Sequence, residues 1–401
     1  MKILMIAPQP FFEPRGTPIS VYQRLRGLSK LGHSIDLSTY HIGEEVDFDN
    51  VTTYRAFAVP FIKSLKVGPS WQKIPLDFLL MLKSTVLLIK NNYDVIHTHE
   101  EAGIFAVFLS WVFQTRHLYD MHSSLPKQLV NFNFGDNRLM IKLFEYLESL
   151  VINTCDAMIT IGLDLEQYVR EINPNVPMEM IENLPLGIDR VSDDKVANLR
   201  KNLDIDDKIA IVYTGTFERY QGVELLLECV ELITAQYPNA IFILVGGKQS
   251  QIQKYQEMVD KMGLADAVKF MGTLPIEEAN EYIQMADILV SPRIEGTSVP
   301  LKIYTYLQAG KSIVATNLEA HTSVLDQETS VLVEPTKEAF AKGLLKLIGD
   351  ENLRFYLGDQ SQKLAEEKYN EANYLAKLRK IYEVFQTASG SQQEQVGAAE
   401  N

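Results

Sequence analysis

The chain has only two cysteines, Cys155 and Cys229, among its 401 residues. Two distant cysteines cannot build a disulfide framework or a cysteine-rich zinc site, which is typical of a protein from a reducing compartment. The chain also lacks an uninterrupted apolar run of about 18 residues, the length that a membrane-spanning helix needs. The apolar stretch at the N-terminus is too short for a signal peptide. We therefore expect a cytoplasmic protein.

Basic residues are in the minority. Lys and Arg number 38 against 52 Asp and Glu, which gives a formal net charge of −14. Such a chain lacks the positive field that binding to DNA or RNA requires, so we expect no nucleic-acid partner. A hydrophobic share of 46% is enough to fill sizeable cores. The length is about twice that of a typical domain, so the sequence predicts two folded domains.

Short β-branched runs alternate with longer amphipathic stretches, which indicates parallel sheets wrapped by helices. The first half contains these predicted strands: Lys2–Ala7, Ser34–Thr39, Val95–His97, His117–Met121 and Ala157–Ile161. The strand–loop–helix order then restarts, with these predicted strands: Ile209–Thr214, Ile241–Val245, Val268–Met271, Ile288–Ser291 and Ile313–Ala315. We predict an α/β protein of two Rossmann-like, doubly wound domains.

Proline and glycine interrupt this pattern between residues 173 and 190, which is where we place the join between the domains. The predicted first domain spans residues 1–185 and the second spans 186–368. A helix is expected over 369–386. The remainder, 387–401, is rich in Ser, Gln, Gly and Ala and is predicted to be disordered.

Two loops that follow predicted strands are candidate binding sites, because ligands of open α/β sheets bind at the carboxyl ends of strands. Each loop contains glycine and leads into a helix, whose N-terminus favours an anion. The polar or flexible residues of these loops are Arg15, Gly16, Thr17, Thr216, Arg219 and Gln221. An ordinary tight turn is the alternative for each loop.

The segment from Ser291 to Gly310 is the most informative part of the sequence. Arg293 and Lys302 suit a phosphate, whereas the carboxylate of Glu295, beside small hydroxyl residues, suits sugar hydroxyls. From the residues alone, a solvated turn with a local ion pair explains the segment equally well.

Several motifs, taken in their order along the chain, resemble those of family-4 retaining glycosyltransferases, which have the GT-B fold. They are Leu-Gly-His at 31–33, His-Thr-His-Glu at 97–100, Asp-Met-His-Ser at 120–123, Ile-Glu-Asn-Leu-Pro-Leu-Gly-Ile-Asp at 181–189, Tyr-Thr-Gly-Thr at 213–216, Leu-Val-Gly-Gly at 244–247 and the segment 291–310. The similarity spans about residues 1 to 386. It implies transfer of a sugar, with retention of the anomeric configuration, from a nucleotide-diphosphate sugar to a glycan or lipid-linked acceptor. No separate cofactor is implied.

The resemblance also assigns roles to the domains and to several residues. It implies that the first domain holds the acceptor and the second the nucleotide, that the two face a central cleft, and that the last helix crosses back to the first domain. It implies that His122 and Glu295 contact the donor sugar, although His122 could instead be a satisfied loop histidine. Further substrate contacts are implied for Asn183, Gly246, Gly296, Thr297 and Thr305. Asn183 could equally cap a turn.

The sequence departs from the family pattern at three charged positions. The second Glu of the donor site falls on Thr305, and the Arg and Lys of the second-domain loop fall on Thr216 and Gln221. A charged hydrogen bond contributes about 1.5–3 kcal/mol, so these losses matter. We expect other cations of the matching loops to substitute, namely Arg15, Arg219, Arg293 and Lys302. The alternatives are a degenerate relative that binds a sugar nucleotide or a partner without turnover, and a sugar-nucleotide epimerase on the same fold.

Two further features have competing interpretations. His97 and His99 lie two apart at a strand end, but no third ligand lies near them in the sequence, so we predict no metal. The segment Phe61–Asn92 holds five lysines and one acid, Asp77, among large apolar residues. This composition suits a peripheral contact with the inner face of an anionic membrane. A core-facing helix with a solvated lysine face is the alternative.

Overall fold

The structure is a computed structural model that describes the backbone of residues 1–13, 16–65, 70–131, 138–186 and 190–399. The chain divides into two compact units. Unit 1 comprises Met1–Asn183 and Glu371–Asn401, and unit 2 comprises Leu184–Asn370. The change of unit after Asn183 falls inside the interrupted region, two residues before the boundary proposed from the sequence.

Strands and helices alternate through both units. The strands are β1 (Lys2–Ala7), β2 (Ser34–Thr39), β3 (Val51–Arg55), β4 (Val95–His99), β5 (Arg116–Met121), β6 (Ala157–Thr160), β7 (Met178–Met180), β8 (Ile209–Thr214), β9 (Ala240–Val245), β10 (Val268–Gly272), β11 (Ile288–Ser291), β12 (Ser312–Thr316) and β13 (Val331–Val333). The helices are α1 (Gly16–Lys30), α2 (Lys73–Lys90), α3 (Ala102–Phe113), α4 (Leu125–Asn131), α5 (Arg138–Thr154), α6 (Leu163–Ile172), α7 (Asp193–Asn202), α8 (Val223–Thr234), α9 (Gln249–Lys261), α10 (Ile276–Met285), α11 (Leu301–Gln308), α12 (Glu319–Thr322), α13 (Lys337–Gly349), α14 (Glu351–Lys368) and α15 (Glu371–Ala399).

Each unit is built on one parallel sheet. The order in unit 1 is β3-β2-β1-β4-β5-β6-β7, and the order in unit 2 is β10-β9-β8-β11-β12-β13. In both sheets the chain first adds strands on one side of the opening strand and then crosses to its other side. This reversal places the carboxyl ends of β1 and β4, and of β8 and β11, at the position where doubly wound folds bind ligands. The predicted pair of doubly wound sheets is confirmed.

The cores lie on both faces of each sheet, as β8 illustrates. Its side chains alternate, so that Ile211 and Tyr213 belong to one buried cluster, whereas Ala210 and Val212 belong to the other. A strand that is buried on both faces has an almost continuous apolar sequence, which is why β8 could be predicted from the sequence. Burying one large aliphatic side chain contributes roughly 1.5–3 kcal/mol.

The last helix, α15, packs against α1, β6 and β7 and therefore belongs to unit 1. Gly27 of α1 permits this packing, because a Cβ there would lie only 2.6 Å from a side-chain carbon of Leu378. The predicted return of the final helix to the first domain is confirmed. The helix extends to Ala399, and the disordered tail over 387–401 stays a prediction. Ala, Gln and Glu in this stretch are good helix formers; residues 400 and 401 lie outside the described part.

Candidate functional site

Four polar side chains of unit 1 meet at the carboxyl ends of two neighbouring strands. His97 and His99 lie in the last three residues of β4, Asp120 is the next-to-last residue of β5, and His122 follows β5. The parallel register pairs His99 with Asp120, which brings the two motifs side by side. All four residues are buried. The fold therefore joins the His-Thr-His-Glu and Asp-Met-His-Ser motifs into one polar cluster.

Arg24 of α1 neutralises this cluster. Its Nε donates to Asp120 Oδ2 over 2.8 Å, and its two terminal nitrogens donate to Tyr374 Oη and to the Ile181 carbonyl, each over 2.8 Å. Burial alone would raise the pKa of Asp120, but Arg24 and the neighbouring histidines hold that pKa well below its usual range. Asp120 is therefore a carboxylate, and Arg24 ties α1, the strand ends and α15 together.

The histidines of the cluster are hydrogen-bonded to one another and to α15. His122 Nε2 lies 2.9 Å from His99 Nδ1 and 3.4 Å from Asp120 Oδ1. His97 Nδ1 lies 2.8 Å from Tyr382 Oη. Burial lowers the pKa of His122 to about 4, with Asp120 offsetting part of the shift, and burial lowers the pKa of His97 and His99 as well. The three rings are therefore neutral near pH 7.

The geometry corrects one premise of the sequence analysis. Donor atoms of His97, His99 and Asp120 lie within 4.8 Å of one another, so a third ligand does accompany the two histidines. Two observations oppose a cation here: Arg24 already pairs with Asp120, and the His97 and His99 rings are stacked with centroids 4.7 Å apart. The absence of a metal stays a prediction.

The loop after β1 meets the same edge of the sheet. Gly16 opens α1, and Thr17 Oγ1 donates to Glu100 Oε1 over 3.0 Å. Burial, together with the neighbouring Glu101, raises the pKa of Glu100 to about 7. Arg15, a predicted phosphate ligand, lies outside the described residues. Asn183 is buried, and its side-chain oxygen has no hydrogen-bond partner in the described part of the chain.

In unit 2 the loop after β8 approaches the end of β9 closely. Gly246 has φ +123°, and a Cβ at this position would lie 1.9 Å from the carbonyl oxygen of Gly215. Only glycine fits there, so the two backbones converge at the carboxyl edge of the sheet. Thr216 is exposed, and its carbonyl accepts a 2.6 Å hydrogen bond from Tyr213 Oη. Gln221 has a buried side-chain oxygen without a hydrogen-bond partner among the described residues.

Lys302 places an unpaired amine beneath this loop. Its Nζ is shielded from solvent and has no hydrogen-bond partner in the described part of the chain. The Nζ lies 3.8 Å from the centroid of the Tyr213 ring and would be 3.2 Å from a Cβ on Gly215. Burial lowers the pKa of Lys302 well below its usual value, and nearby Arg293 lowers it further. A buried cation without an anionic partner is costly unless a ligand supplies one.

Arg293 and Glu295 differ in burial and in the groups that they contact. Arg293 is partly buried; its Nε donates to the Glu295 carbonyl over 2.6 Å and one terminal nitrogen donates to the Ser298 carbonyl over 2.8 Å. Its guanidinium also lies 5.1 Å from the Tyr220 ring centroid. The side chain of Glu295 is exposed and forms an ion pair with Arg219 at 3.0 Å. Two nitrogens of Arg293 therefore already donate hydrogen bonds to backbone carbonyls of the loop that carries it.

Three remaining predicted contacts differ in accessibility. Gly296 and Thr297 are exposed in the loop that precedes α11. Thr305 is buried within α11, and its hydroxyl accepts a 3.1 Å hydrogen bond from the Leu186 amide. The Thr305 hydroxyl, at the position where the sequence resemblance implies a glutamate, is thus already hydrogen-bonded within unit 2.

Three residues in or beside the polar cluster of unit 1 were not predicted from the sequence. Arg24 is the charged residue on the buried side of α1, and Asp120 lies inside a motif from which only His122 was selected. Glu100 immediately follows the two histidines of β4. A charge placed on the buried face of a predicted helix was the available signal for Arg24, because such a charge needs a partner.

Comparisons with known proteins agree with this geometry. The chain matches the model for Glycosyltransferase Family 4 over residues 14–190 and the model for Glycosyl transferases group 1 over residues 208–350. It is 22% identical to the D-inositol 3-phosphate glycosyltransferase of Corynebacterium urealyticum, over 93% of this chain and 91% of that protein.

Solved structures show the same fold. The sucrose-phosphate synthase of Thermosynechococcus elongatus superimposes with a TM-score of 0.75 and 19% identity, covering 99% of each chain. Anabaena HepE in complex with UDP-glucose gives a TM-score of 0.72 and 13% identity, covering 97% of this chain and all of the other. The fold is thus GT-B. Each family model covers less than half of the chain, and together with the fold they support a GT-B glycosyltransferase that is similar to family 4.

Across the described helices, none combines the length and the apolar character that crossing a membrane requires.

Proposed function

We propose that the protein transfers a sugar from a nucleotide-diphosphate sugar to a glycan or lipid-linked acceptor with retention of the anomeric configuration. Unit 2 holds the nucleotide and unit 1 the acceptor. Products of such a reaction include polysaccharides, glycolipids and other glycoconjugates. The structure of HepE with UDP-glucose supports the donor class, since that neighbour shares the fold.

The unpaired amine of Lys302 carries this proposal. It lies beneath the glycine loop at the carboxyl end of β8, where the strand order of unit 2 reverses. A pyrophosphate on this loop gives the amine its missing partner and receives backbone N–H groups near Thr216. Lys302 then substitutes for the family's cations at Thr216 and Gln221, and its charge is restored on binding.

The chemical step requires stabilisation of a departing nucleoside diphosphate. Cations and N–H groups that are already oriented towards the developing negative charge lower this barrier, because they need no reorganisation during the reaction. Lys302, with Arg293 and Arg219, supplies that charge. Gly16, Gly246, Gly296 and Thr297 complete the proposed set of substrate contacts. At Gly16, apart from its chain neighbours and its own helix backbone, no atom of the described residues lies within 4 Å of the place that a Cβ would take.

His122 and Glu295 are the groups that we propose contact the donor sugar. The neutral ring of His122 can donate or accept a hydrogen bond, and its Nδ1 has no partner among the described residues. Glu295 presents an exposed carboxylate that suits sugar hydroxyls. Attack by the acceptor from the same face as the departing phosphate gives retention without a nucleophile from the enzyme, so none is assigned.

The proposal is tested by incubating the full chain with a panel of nucleotide-diphosphate sugars and measuring the released nucleoside diphosphate. Proton NMR of the product then compares its anomeric configuration with that of the donor. We expect one donor to be turned over and its configuration to be retained. An inverted product contradicts retention, and a product that is an epimerised sugar nucleotide supports the epimerase alternative.

A binding protein without turnover is the second candidate function. The burial of Thr305 and its bond to the Leu186 amide favour it, because the carboxylate that the family has at this position is missing. A nucleotide-dependent rise in melting temperature, with no release of nucleoside diphosphate from any donor in the presence of glycan or lipid acceptors, supports this candidate.

A further inference from the structure

The exposed apolar side chains of the protein are concentrated on one part of unit 1. In the described part of the chain, fourteen of the exposed large apolar side chains fall between residues 57 and 146, and four lie elsewhere. The three helices α2, α3 and α5 carry eleven of them: Ile74, Phe78, Leu82, Val86, Ile89, Phe108, Trp111, Val112, Leu139, Leu143 and Tyr146. We call this set the α2–α3–α5 surface.

The three helices form a continuous layer. Helix α2 packs against α3, and α3 packs against α5. On α2, Leu76, Leu80 and Leu87 face the core, whereas Ile74 and Ile89 mark the two ends of the exposed apolar stripe. Fifteen steps along a helix correspond to roughly 22 Å. The outer face of α2 is therefore apolar along nearly its whole length.

Charge on this surface has the opposite sign to that of the whole chain. The sequences of the three helices hold five basic and three acidic residues, in a protein of net charge −14. Of the acids, Glu148 is buried and Asp77 accepts a hydrogen bond from Tyr40 Oη. Among the exposed charged residues of these helices, Lys90, Arg138 and Lys142 stand against Glu145 alone. Helix α3 carries no charged residue.

Both tryptophans of the chain belong to this region. Trp71 precedes α2 and Trp111 lies on α3, and each is 70% exposed. Tryptophan is costly to leave in water and is favoured at the boundary between lipid headgroups and acyl chains. Apolar and aromatic residues flanked by Lys and Arg are the pattern of a surface that lies on an anionic bilayer.

We propose that the α2–α3–α5 surface docks on an anionic lipid bilayer. The apolar side chains enter the boundary between headgroups and acyl chains, and Lys90, Arg138 and Lys142 contact the lipid phosphates. A symmetric pairing of two copies through this surface would bring these cations against one another, so charge complementarity favours the bilayer. The proposal concerns unit 1 alone and does not depend on the nucleotide or on turnover.

Vesicle flotation of the full chain, without nucleotide, tests the proposal. We expect the protein to float with vesicles that contain an anionic lipid and to float less with zwitterionic vesicles or at high salt. The pair Phe78→Ser and Trp111→Ser should lower the bound fraction at least about tenfold. The matched pair Phe355→Ser and Tyr356→Ser removes two exposed aromatic side chains of unit 2 and should change nothing.

The charge contribution has its own control. Lys90→Gln with Lys142→Gln should weaken binding to anionic vesicles, whereas Lys342→Gln with Lys346→Gln, exposed lysines of α13, should not. Each variant is checked by its melting temperature, so that loss of folding is not mistaken for loss of binding. Equal effects of a test pair and its control pair would overturn the proposal.

The wild-type protein provides a measurement that needs no substitution. Its two tryptophans should shift their emission to the blue and be quenched by lipids brominated in their acyl chains. Absence of both flotation and quenching overturns the proposal. A wild-type dimer that the Phe78 and Trp111 substitutions dissociate, without any vesicle binding, also overturns it and assigns the surface to a second copy of the chain.

Discussion

Arg24 and Asp120 form an ion pair of 2.8 Å in which both side chains are completely buried. Each charge depends on the other: burial opposes the charged form of both, and the partner restores it. Removing one member leaves an uncompensated buried charge, which typically costs 3–5 kcal/mol, whereas removing both costs much less.

The first prediction concerns this pair. Arg24→Met and Asp120→Asn should each lower the free energy of unfolding by about 3–5 kcal/mol. The double variant should lose clearly less than the sum, because no unpaired charge remains. Urea unfolding of the four proteins measures this coupling. Additive losses would show that the two side chains do not depend on each other.

The second prediction concerns Lys302→Met. This change removes a shielded, unpaired amine while keeping its length, so the protein without nucleotide should become more stable. Its melting temperature should rise by about 2–4 °C for each kcal/mol gained. The stabilisation by nucleoside diphosphates should disappear.

Thermal shift with and without nucleoside diphosphate measures both effects, and Lys346→Gln, an exposed lysine of the same unit, is the control. A variant that melts lower than wild type but keeps the full nucleotide response would assign Lys302 to the fold instead of the ligand.

The central strands could be predicted because burial on both faces gives them long apolar runs. β1, β2, β8 and β11 have the predicted bounds. The missed strands are β3, β7 and β13, which lie at sheet edges and contain no fully buried residue. An edge strand buries less of each face, so its sequence carries little periodic signal.

The candidate site was predictable only in part, for a related reason. Glycine and charged residues in loops that follow strands indicate the carboxyl edge of a sheet. The residues of this kind in unit 2 were predicted as site residues from the sequence. Which charges face each other depends on register and on distant chain segments. The bond from Thr305 to the Leu186 amide and the contact of Arg24 with α15 join residues 119 and 350 positions apart. Neither contact follows from local spacing.

The third prediction concerns Glu295→Gln. Because the ion pair between Glu295 and Arg219 is largely exposed, its loss should change the free energy of unfolding by no more than about 1 kcal/mol. Loss of a charged hydrogen bond to the donor sugar should lower kcat/KM by about tenfold to a hundredfold. Glu328→Gln, an exposed carboxylate of the same unit, is the control for both measurements. A variant with unchanged kcat/KM contradicts the proposed role of Glu295.

The last prediction concerns acid sensitivity of unit 1. Burial lowers the pKa of His117 to about 3 and that of His122 to about 4, and it lowers the pKa of His97 and His99 too. In the unfolded chain these groups bind protons below about pH 6.5. Below that pH these histidines bind more protons in the unfolded state, so their contribution to stability falls as pH drops from about 6.5 towards 4. Glu100, whose pKa is raised to about 7, offsets about one proton of this difference. Each histidine contributes up to about 1.4 kcal/mol per pH unit.

Urea unfolding between pH 8 and pH 4.5 measures this dependence. Stability should be nearly constant above about pH 7 and should fall steeply below about pH 6. His117→Gln should reduce the slope by about one proton, because the hydrogen bond between His117 Nε2 and Thr98 Oγ1, at 2.7 Å, can be replaced by one from an amide. A slope that stays the same in the variant would mean that His117 keeps its ordinary pKa in the folded protein. A wild-type stability that does not change with pH would mean that the buried histidines gain their protons without unfolding.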